Sequence, residues 1–279
     1  MEYVTLNNDV KMPILGLGIM KMEDIEHGVI SAIDHGYRLF DTAASYENEA
    51  ALGRALKNSP VKREELFITS KVKIQKNGYQ GTLDFFERTL DNLGLDYLDL
   101  YLIHHPLGDV FGEWRAMEEL YKLKKVRAIG VANFEPFQLV NLMMYSDTIP
   151  AINQIEIHPR YQEETQQLFN EEHHIQTESW SPFLSGKEDI FTEPVIQKIA
   201  AKHRKSAAQI VLRWIIQRGI VVIPKANSVD HMIENADIFD FQLDDDDFKE
   251  FKNLDYGRPS FFNHLNAKDV ESMINLVGK

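Results

Sequence analysis

The sequence predicts an α/β protein folded as a (β/α)8 TIM barrel, with an N-terminal β-hairpin and extra helices and loops toward the C-terminus. Three observations lead to this fold class. Short apolar runs alternate with amphipathic helical stretches along nearly the whole chain. Several of these runs are apolar at both even and odd positions, as in strands that are covered on both faces. Eight such units in about 250 residues match a closed barrel better than an open doubly wound sheet.

The predicted strands begin with the hairpin, in which Tyr3–Leu6 and Val10–Met12 flank the turn formers Asn7-Asn8-Asp9. The eight barrel strands then follow in chain order: Ile14–Gly18, Arg38–Asp41, Leu66–Lys71, Leu98–His104, Ala128–Val131, Ala151–Ile157, Gln176–Ser179 and Ile220–Pro224. Because parallel strands need crossover connections, strands that alternate with helices imply a parallel sheet.

The predicted helices lie between these strands and carry apolar residues at helical spacing. They are Ile25–His35, Glu47–Lys57, Gly81–Leu93, Glu113–Lys124, Pro136–Met144, Glu164–His173, Glu193–His203, Ala207–Arg218 and Val229–Ala236. The four aspartates Asp244–Asp247 are compatible with a metal cluster, but a helix start is favoured, because carboxylates there face the positive end of the helix dipole. No linker or composition break divides the chain, which predicts a single domain over residues 1–279.

Composition and charge exclude several classes of protein. The chain has 279 residues, 30 Lys+Arg against 43 Asp+Glu, a net charge of −13 and no cysteine. The negative charge argues against general binding of nucleic acid or of an anionic membrane surface. The missing cysteine excludes disulfides and thiolate-bound zinc or iron–sulfur sites. No apolar run approaches the roughly 18–20 residues of a spanning helix, and no signal peptide is visible, so we expect a soluble cytoplasmic protein.

Three titratable residues end consecutive predicted strands. Asp41, Lys71 and His104 hold these positions, and Tyr46 lies in the loop after Asp41. Since a barrel carries its active site at the carboxyl ends of its strands, we expect the four side chains to converge. Asp41 would pair with Lys71, because an unpaired buried charge is costly. The Lys71 ammonium would then lower the pKa of Tyr46 from about 10, which makes a general acid.

Less specific interpretations of these residues remain open at this point. Asp41 and Lys71 could form a purely structural ion pair, and a lone His104 could be a core histidine. His104 and His105 are adjacent, and neighbours on a strand point to opposite faces, so we do not expect them to share a metal ion. The sequence therefore predicts no metal site.

A series of ordered motifs resembles those of the aldo-keto reductase family, over about residues 3 to 256. They are Arg38-Leu39-Phe40-Asp41-Thr42-Ala43-Ala44-Ser45-Tyr46-Glu47-Asn48-Glu49, Ile68–Lys71, Leu102–Pro106, Gly130–Phe134, Asn153–Pro159, Glu178–Pro182, and Ile223–Lys225 followed by Ile233–Asn235. The resemblance implies a catalytic tetrad of Asp41, Tyr46, Lys71 and His104. It implies NAD(P)H-dependent reduction of an aldehyde or ketone, with hydride from the nicotinamide and a proton from Tyr46.

The resemblance also implies a dinucleotide site without a Rossmann fingerprint, because Gly16-Leu17-Gly18 is only a single short glycine pair. At the nicotinamide, the resemblance implies hydrogen bonds from Asn133 and Gln154 to the carboxamide and stacking of Trp180 on the ring. At the pyrophosphate, it implies contacts from the main chain around Ser181, Phe183, Leu184 and Gly186. At the adenosine end, it implies contacts from Lys225, Glu234 and Asn235.

Three positions depart from the family pattern. Ala226 stands where a phosphate-contacting Ser is usual, His231 where an Arg is common, and Ala132 where a Ser precedes Asn133. An Arg pairs bidentately with phosphate, whereas a His is mostly neutral at pH 7. We therefore expect NADP(H) to be preferred, with weaker discrimination against NAD(H) than is typical of the family.

The substrate pocket is predicted from two further departures. Met20 and His105 occupy positions where the family often places aromatic residues, which suggests a less apolar pocket. Small polar carbonyl compounds, such as methylglyoxal-like aldehydes or keto-sugars, fit this prediction, as for the similar bacterial diketogluconate and methylglyoxal reductases. The tail after Asp255, with Phe261, Phe262 and His264, is expected at the pocket rim.

A small-molecule carbonyl substrate is thus the expected partner, and we expect a monomer or a weak homodimer. Two other functions remain as alternatives. The first is a non-catalytic NADP(H)-binding sensor or structural subunit on the same fold, which has no need to retain both Tyr46 and Lys71. The second is a metal-dependent barrel hydrolase, which the lack of Cys, of a His-x-His pattern and of a carboxylate cluster disfavours.

Overall fold

The structure is a computed structural model that describes residues 1–73 and 78–277. An antiparallel hairpin of β1 (Tyr3–Thr5) and β2 (Lys11–Pro13) comes first. Eight parallel strands follow, each paired with the next in chain order: β3 (Gly16–Gly18), β4 (Leu39–Asp41), β5 (Phe67–Lys71), β6 (Leu98–Ile103), β7 (Val126–Ala132), β8 (Ile152–Glu156), β9 (Gln176–Trp180) and β10 (Val221–Val222). The predicted hairpin and parallel sheet are therefore confirmed.

The sheet closes into a barrel where β10 meets β3. Leu15 forms a parallel bridge with Val222, whose amide donates to Ile14 O at 2.9 Å. The Gly18 amide donates to Pro224 O at 3.1 Å. A Cβ atom on Gly18 would lie 2.9 Å from the carbonyl oxygen of Ile223, so only glycine permits this close approach.

Helices cover the outside of the barrel and follow the strands as predicted. They are α1 (Ile25–Asp34), α2 (Glu49–Lys57), α3 (Tyr79–Leu93), α4 (Val110–Lys122), α5 (Pro136–Met144), α6 (Glu164–Glu172), α7 (Pro194–His203), α8 (Ala207–Gln217), α9 (Val229–Ala236), α10 (Asp245–Lys252) and α11 (Ala267–Val277). Local sequence sets several of their starts. Ser206 and Gln209 form a capping box at α8, and Pro136 opens α5, where a missing N–H costs nothing.

The hairpin covers the amino end of the barrel strands. Asn7 Nδ2 donates to Pro150 O at 3.1 Å, just before β8, and Asn8 Nδ2 donates to Arg127 O at 2.9 Å within β7. This end of the barrel is therefore closed. The carboxyl end, where Asp41 and Lys71 lie, is left for the site.

The aspartate run begins α10, as the sequence favoured. The Asp244 side chain accepts from the amides of Asp246 and Asp247, and Asp247 accepts in return from the Asp244 amide. Within residues 1–73 and 78–277, no group of three or more His, Cys, Asp or Glu side chains could hold a metal ion. In the same part of the chain, no helix is both long enough and apolar enough to span a membrane.

One strand ends earlier than predicted, and this overturns an expectation about its last residues. β6 stops at Ile103, so His104 and His105 both lie in the loop beyond it. Their rings stack, with centroids 4.7 Å apart and planes 20° from parallel. The expectation that they point to opposite faces is wrong, because the alternation of side chains holds only within a strand.

Candidate active site

A buried ion pair lies at the carboxyl end of the barrel. Asp41 ends β4 and Lys71 ends β5, and their side chains are 4% and 1% exposed. Lys71 Nζ donates to Asp41 Oδ1 at 2.5 Å and to Thr42 O at 3.0 Å. Burial alone would lower the pKa of Lys71, but the neighbouring Asp41 carboxylate raises this pKa above its ordinary value. The lysine is therefore a permanent cation inside the barrel.

Tyr46 lies next to this pair. It ends the short 3₁₀ turn Ala44–Tyr46 that follows β4, and the centre of its ring is 5.3 Å from Lys71 Nζ. Burial raises the pKa of Tyr46 above 10, and the Lys71 ammonium offsets this rise only in part. The expectation that Lys71 lowers the pKa below its ordinary value is therefore wrong for this structure, because the loss of hydration outweighs one nearby cation.

His104 faces Tyr46 from the loop that follows β6. The two rings meet edge to face with centroids 5.8 Å apart, and His104 Nδ1 lies 3.3 Å from Ser45 Oγ. Burial, together with His105 and Lys71, holds the pKa of His104 well below its ordinary value. The imidazole is therefore neutral. If Ser45 donates to Nδ1, the proton of the ring lies on Nε2.

Glu178 belongs to the same cluster, although sequence reasoning noted it only as part of a motif. It lies on β9, is fully buried, and accepts at Oε2 from Gln154 Nε2 at 3.0 Å. Gln154 Nε2 also donates to Asp41 Oδ2 at 2.9 Å. Burial and the charge of Asp41 raise the pKa of Glu178 to about 8. A carboxyl group within a strand predicted to be covered on both faces was the signal that could have identified it.

Asn133 and Trp180 lie together beside the tetrad. Trp180 Nε1 donates to Asn133 Oδ1 at 2.9 Å, and Asn133 Nδ2 donates to His104 O at 3.0 Å. The Asn133 backbone amide donates to Gln154 O at 2.9 Å. The three residues expected at the nicotinamide are thus brought to one place, with their side chains engaged by protein groups.

The loop after β9 has an unusual backbone. Ser181, Leu184 and Ser185 have φ angles of 57°, 56° and 47°. A left-handed conformation costs about 1–3 kcal/mol for each residue other than glycine, and such strained conformations cluster at binding sites. Turns in which a right-handed residue precedes a left-handed one, as Phe183 precedes Leu184, also direct successive N–H groups into a concavity that suits an anion.

This loop borders a cavity of about 580 Å³. The cavity is lined by most of the residues expected at the pyrophosphate and adenosine, together with two departures from the family pattern: Ser181, Phe183, Gly186, Lys225, Ala226, His231, Glu234 and Asn235. Lys225 is exposed and has no ion pair within the described part of the chain. Leu184 does not line the cavity, because its side chain is 1% exposed in the core.

The C-terminal tail lies across the same end of the barrel. His264 Nε2 is 2.9 Å from His105 Nδ1, and the Phe261 ring contacts Trp180 with centroids 5.3 Å apart. Glu156 anchors the tail by accepting from the Ser260 amide at 2.7 Å. The tail therefore borders the site, as expected.

The two residues predicted to line the substrate pocket lie in different surroundings. His105 stacks between His104 and His264. Met20, in the loop after β3, is 43% exposed and makes no ring contact or hydrogen bond with the tetrad among the described residues. The structure thus places the His105 ring against His104, whereas Met20 is exposed.

Comparison with known proteins agrees with this geometry. The model of the aldo/keto reductase family matches residues 15–255. A glyoxal reductase of Bacillus subtilis (strain 168) is 46% identical over 257 residues, covering 91% of this chain and 92% of that protein. The crystal structure of an aldo-keto reductase from a Medee basin deep-sea metagenome library superposes with a TM-score of 0.91 at 40% identity, covering 95% of this chain and 99% of its own.

A Bombyx mori aldo-keto reductase in complex with NADP superposes with a TM-score of 0.87 at 32% identity, covering 92% of this chain and 94% of its own. The barrel, its strand-end residues and these similarities agree. The chain therefore belongs to the aldo-keto reductase family.

Proposed function

We propose that this protein is an NADP(H)-dependent oxidoreductase that reduces an aldehyde or ketone to an alcohol, with Tyr46 as the proton donor. The observation that carries the proposal is the position of Tyr46 between the buried Lys71–Asp41 ion pair and the neutral ring of His104. A phenol, a cation and a neutral imidazole suit the protonation of an oxygen on which negative charge develops.

The residues present fit a nicotinamide dinucleotide. The strained loop around Ser185 and the Lys225 side chain, which pairs with no described residue, border one cavity, and both suit anionic groups. Asn133, Gln154 and Trp180 would hold the nicotinamide. The main chain of Ser181, Phe183, Leu184 and Gly186 would hold the pyrophosphate, and Lys225, Glu234 and Asn235 the adenosine end. When bound, the reduced nicotinamide supplies the hydride that reaches the carbonyl carbon.

The remaining chemistry belongs to the chain. His104 donates a hydrogen bond from Nε2 to the carbonyl oxygen and orients it toward Tyr46. The Tyr46 hydroxyl gives its proton to that oxygen as the alkoxide forms, and the O–H bond of the tyrosine breaks. Lys71 stabilises the resulting phenolate, and Asp41 keeps the ammonium in place. Tyr46 then regains a proton from solvent. Its raised pKa keeps it protonated, and therefore able to donate, at neutral pH.

Small polar aldehydes are the proposed substrates. The similar Bacillus subtilis protein is named a glyoxal reductase. The stacked rings of His104, His105 and His264 add polar edges to an end of the barrel that Phe262 and Trp180 also border. A small dicarbonyl compound can accept hydrogen bonds from such edges, whereas a large apolar aldehyde leaves them unpaired.

The test follows NADPH oxidation by absorbance with a panel of aldehydes, in wild type and Tyr46→Phe. We expect Tyr46→Phe to lower kcat at least about 100-fold, the usual contribution of a general acid. Tyr101→Phe is the matched control, because the Tyr101 hydroxyl is also buried and has no hydrogen-bond partner among the described residues. Unchanged turnover in Tyr46→Phe contradicts the proposed acid. NADPH binding without turnover of any carbonyl supports a sensor instead.

A further inference from the structure

Glu178 is a buried acid for which the proposed reaction has no role. Its side chain is fully buried on β9, facing the barrel interior with Asp41 and Lys71. Its Oε2 accepts from Gln154 Nε2, while its Oε1 has no hydrogen-bond partner among the described residues. Buried carboxyl groups are costly to keep, so this one calls for a physical explanation.

The Gln154 amide joins Glu178 to the catalytic ion pair. A primary amide has two N–H donors and one carbonyl acceptor. Both donors are used, one toward Asp41 Oδ2 at 2.9 Å and one toward Glu178 Oε2 at 3.0 Å. Because the ion-paired Asp41 only accepts, the nitrogen of the amide must face it. The carbonyl oxygen of Gln154 accepts no hydrogen bond from the described residues and is left for a donor from outside the protein.

We propose that Glu178 is a positioning residue that holds the Gln154 amide with its carbonyl oxygen free for the carboxamide of the nicotinamide and keeps Asp41 directed at Lys71. This inference rests on the proposed function and adds to it a residue on the opposite side of the barrel. Without Glu178, the second N–H of Gln154 has no acceptor, and the amide can rotate away from Asp41.

The charges in the barrel give Glu178 a second effect. Asp41 and Glu178 are two carboxyl groups that share one cation, Lys71, and Tyr46 adjoins them. An ionised Glu178 would lack a counterion, so the neutral acid is favoured; burial and Asp41 accordingly raise its pKa to about 8. Above that pH, the new negative charge raises the pKa of Tyr46 and makes it a weaker proton donor. We therefore expect the reduction rate to fall as Glu178 ionises.

Three variants separate positioning from stability. Glu178→Gln keeps an acceptor for Gln154 but cannot ionise, whereas Glu178→Leu keeps the volume and removes the acceptor. Thr177→Val is the matched control, because it deletes a buried hydrogen bond on the same strand, from Asn170 Nδ2 at 3.0 Å, outside this network. NADPH binding is measured by fluorescence titration without substrate. We expect Kd to rise about five- to tenfold in Glu178→Leu, as for one lost oriented hydrogen bond, and to stay within about twofold in the other two.

The pH profile of kcat/KM gives an independent readout that holds even if Glu178→Leu does not fold. Wild type is expected to lose activity through about pH 8, and Glu178→Gln to lack this step. Infrared difference spectra should show a protonated carboxyl band at pH 7 in wild type that is missing in Glu178→Gln. Unchanged NADPH affinity in Glu178→Leu, or the same pH step in Glu178→Gln, overturns the inference. NADPH binding by wild type without turnover contradicts only the proposed reaction.

Discussion

At the scale of single residues, the site depends on how burial and charge compete. Lys71 stays charged because Asp41 lies 2.5 Å away, whereas Tyr46 stays protonated because burial outweighs the pull of Lys71. A protonated tyrosine beside a cation is ready to donate, and the cation then stabilises the phenolate that donation leaves. In the proposed reaction, the protonated form of Tyr46 is the one that reduction requires.

Replacing Lys71 tests this balance. Lys71→Met leaves Asp41 buried without a counterion, so we expect the free energy of unfolding to fall by about 3–5 kcal/mol. Because the phenolate of Tyr46 also loses its cation, we expect kcat to fall at least about 100-fold. The double variant Asp41→Asn with Lys71→Met removes both charges and should regain most of the stability but none of the activity. Urea unfolding and NADPH oxidation measure the two effects. Recovery of activity in the double variant would contradict the role proposed for Lys71.

His231 is the residue on which cofactor choice is expected to depend. It lines the same cavity as Lys225, so an arginine there can reach a phosphate that Lys225 also faces. We expect His231→Arg to raise kcat/KM for NADPH relative to NADH about tenfold, because a guanidinium fork binds phosphate bidentately. His174→Arg adds the same charge beside the hairpin at the other end of the barrel and serves as the control. If the ratio of kcat/KM for NADPH to that for NADH is the same in His231→Arg and His174→Arg, His231 does not lie at the phosphate.

At the scale of elements, the C-terminal tail is held over the barrel by polar contacts as well as by packing. Glu156 accepts two tail amides, and Lys187 donates to Ser260 O at 2.5 Å. The His105–His264 contact at 2.9 Å requires at least one neutral ring that accepts. We therefore expect the docking of the tail on His105 to depend on pH.

Acid should release this tail. Burial lowers the pKa of His105 to about 3 and that of His264 to about 4. Release of the tail removes the burial of His264, so its pKa returns toward the ordinary 6.5, and removes His264 from beside His105, so the pKa of His105 rises as well. The released state thus binds more protons between about pH 4 and 6.5, so docking is strongest above this range and is lost as the pH falls through it. Limited proteolysis of the tail at pH 7 and pH 5 measures the change. His264→Phe keeps an aromatic ring without a titrating group, and an equal pH response in this variant would refute the mechanism.

At the scale of the whole molecule, a chain of net charge −13 is proposed to bind an anionic dinucleotide. The barrel reconciles the two facts by gathering local features at one end: a turn of left-handed residues, the N-terminus of α8 and Lys225, which has no ion pair with any described residue. The attraction is therefore short in range and does not depend on a basic surface.

Cofactor binding should stabilise the whole fold. A ligand at 100 times its Kd adds about 2.7 kcal/mol to the free energy of unfolding, so saturating NADPH should raise Tm by several degrees. Lys225→Met should weaken this rise for NADPH and leave the rise with NADH nearly unchanged, since only NADPH carries the additional phosphate. Thermal unfolding at matched concentrations of the two cofactors measures the rise in Tm for each. If Lys225→Met reduces the rise in Tm equally for NADPH and NADH, Lys225 does not contact the additional phosphate.

The elements of the fold were predictable to within a few residues, whereas parts of the site were not. Apolar runs and helical spacing identified all eight barrel strands, and the order of the chain then placed Asp41, Lys71 and His104 at one end. Helix α11 was expected only as one of the extra helices toward the C-terminus, without bounds, and the early end of β6 escaped prediction, because boundaries depend on contacts outside the segment.

The sequence by itself determined the barrel and the four residues at its mouth, because both follow from local patterns and from the direction of parallel strands. Only the tertiary structure decided which groups touch across the barrel. Gln154 reaches Asp41 over 113 residues of chain, and His105 meets His264 over 159. The tertiary structure also decided in which direction the pKa of Tyr46 shifts from its ordinary value. Burial arises from all the elements packed around a side chain, so no local segment carries that information.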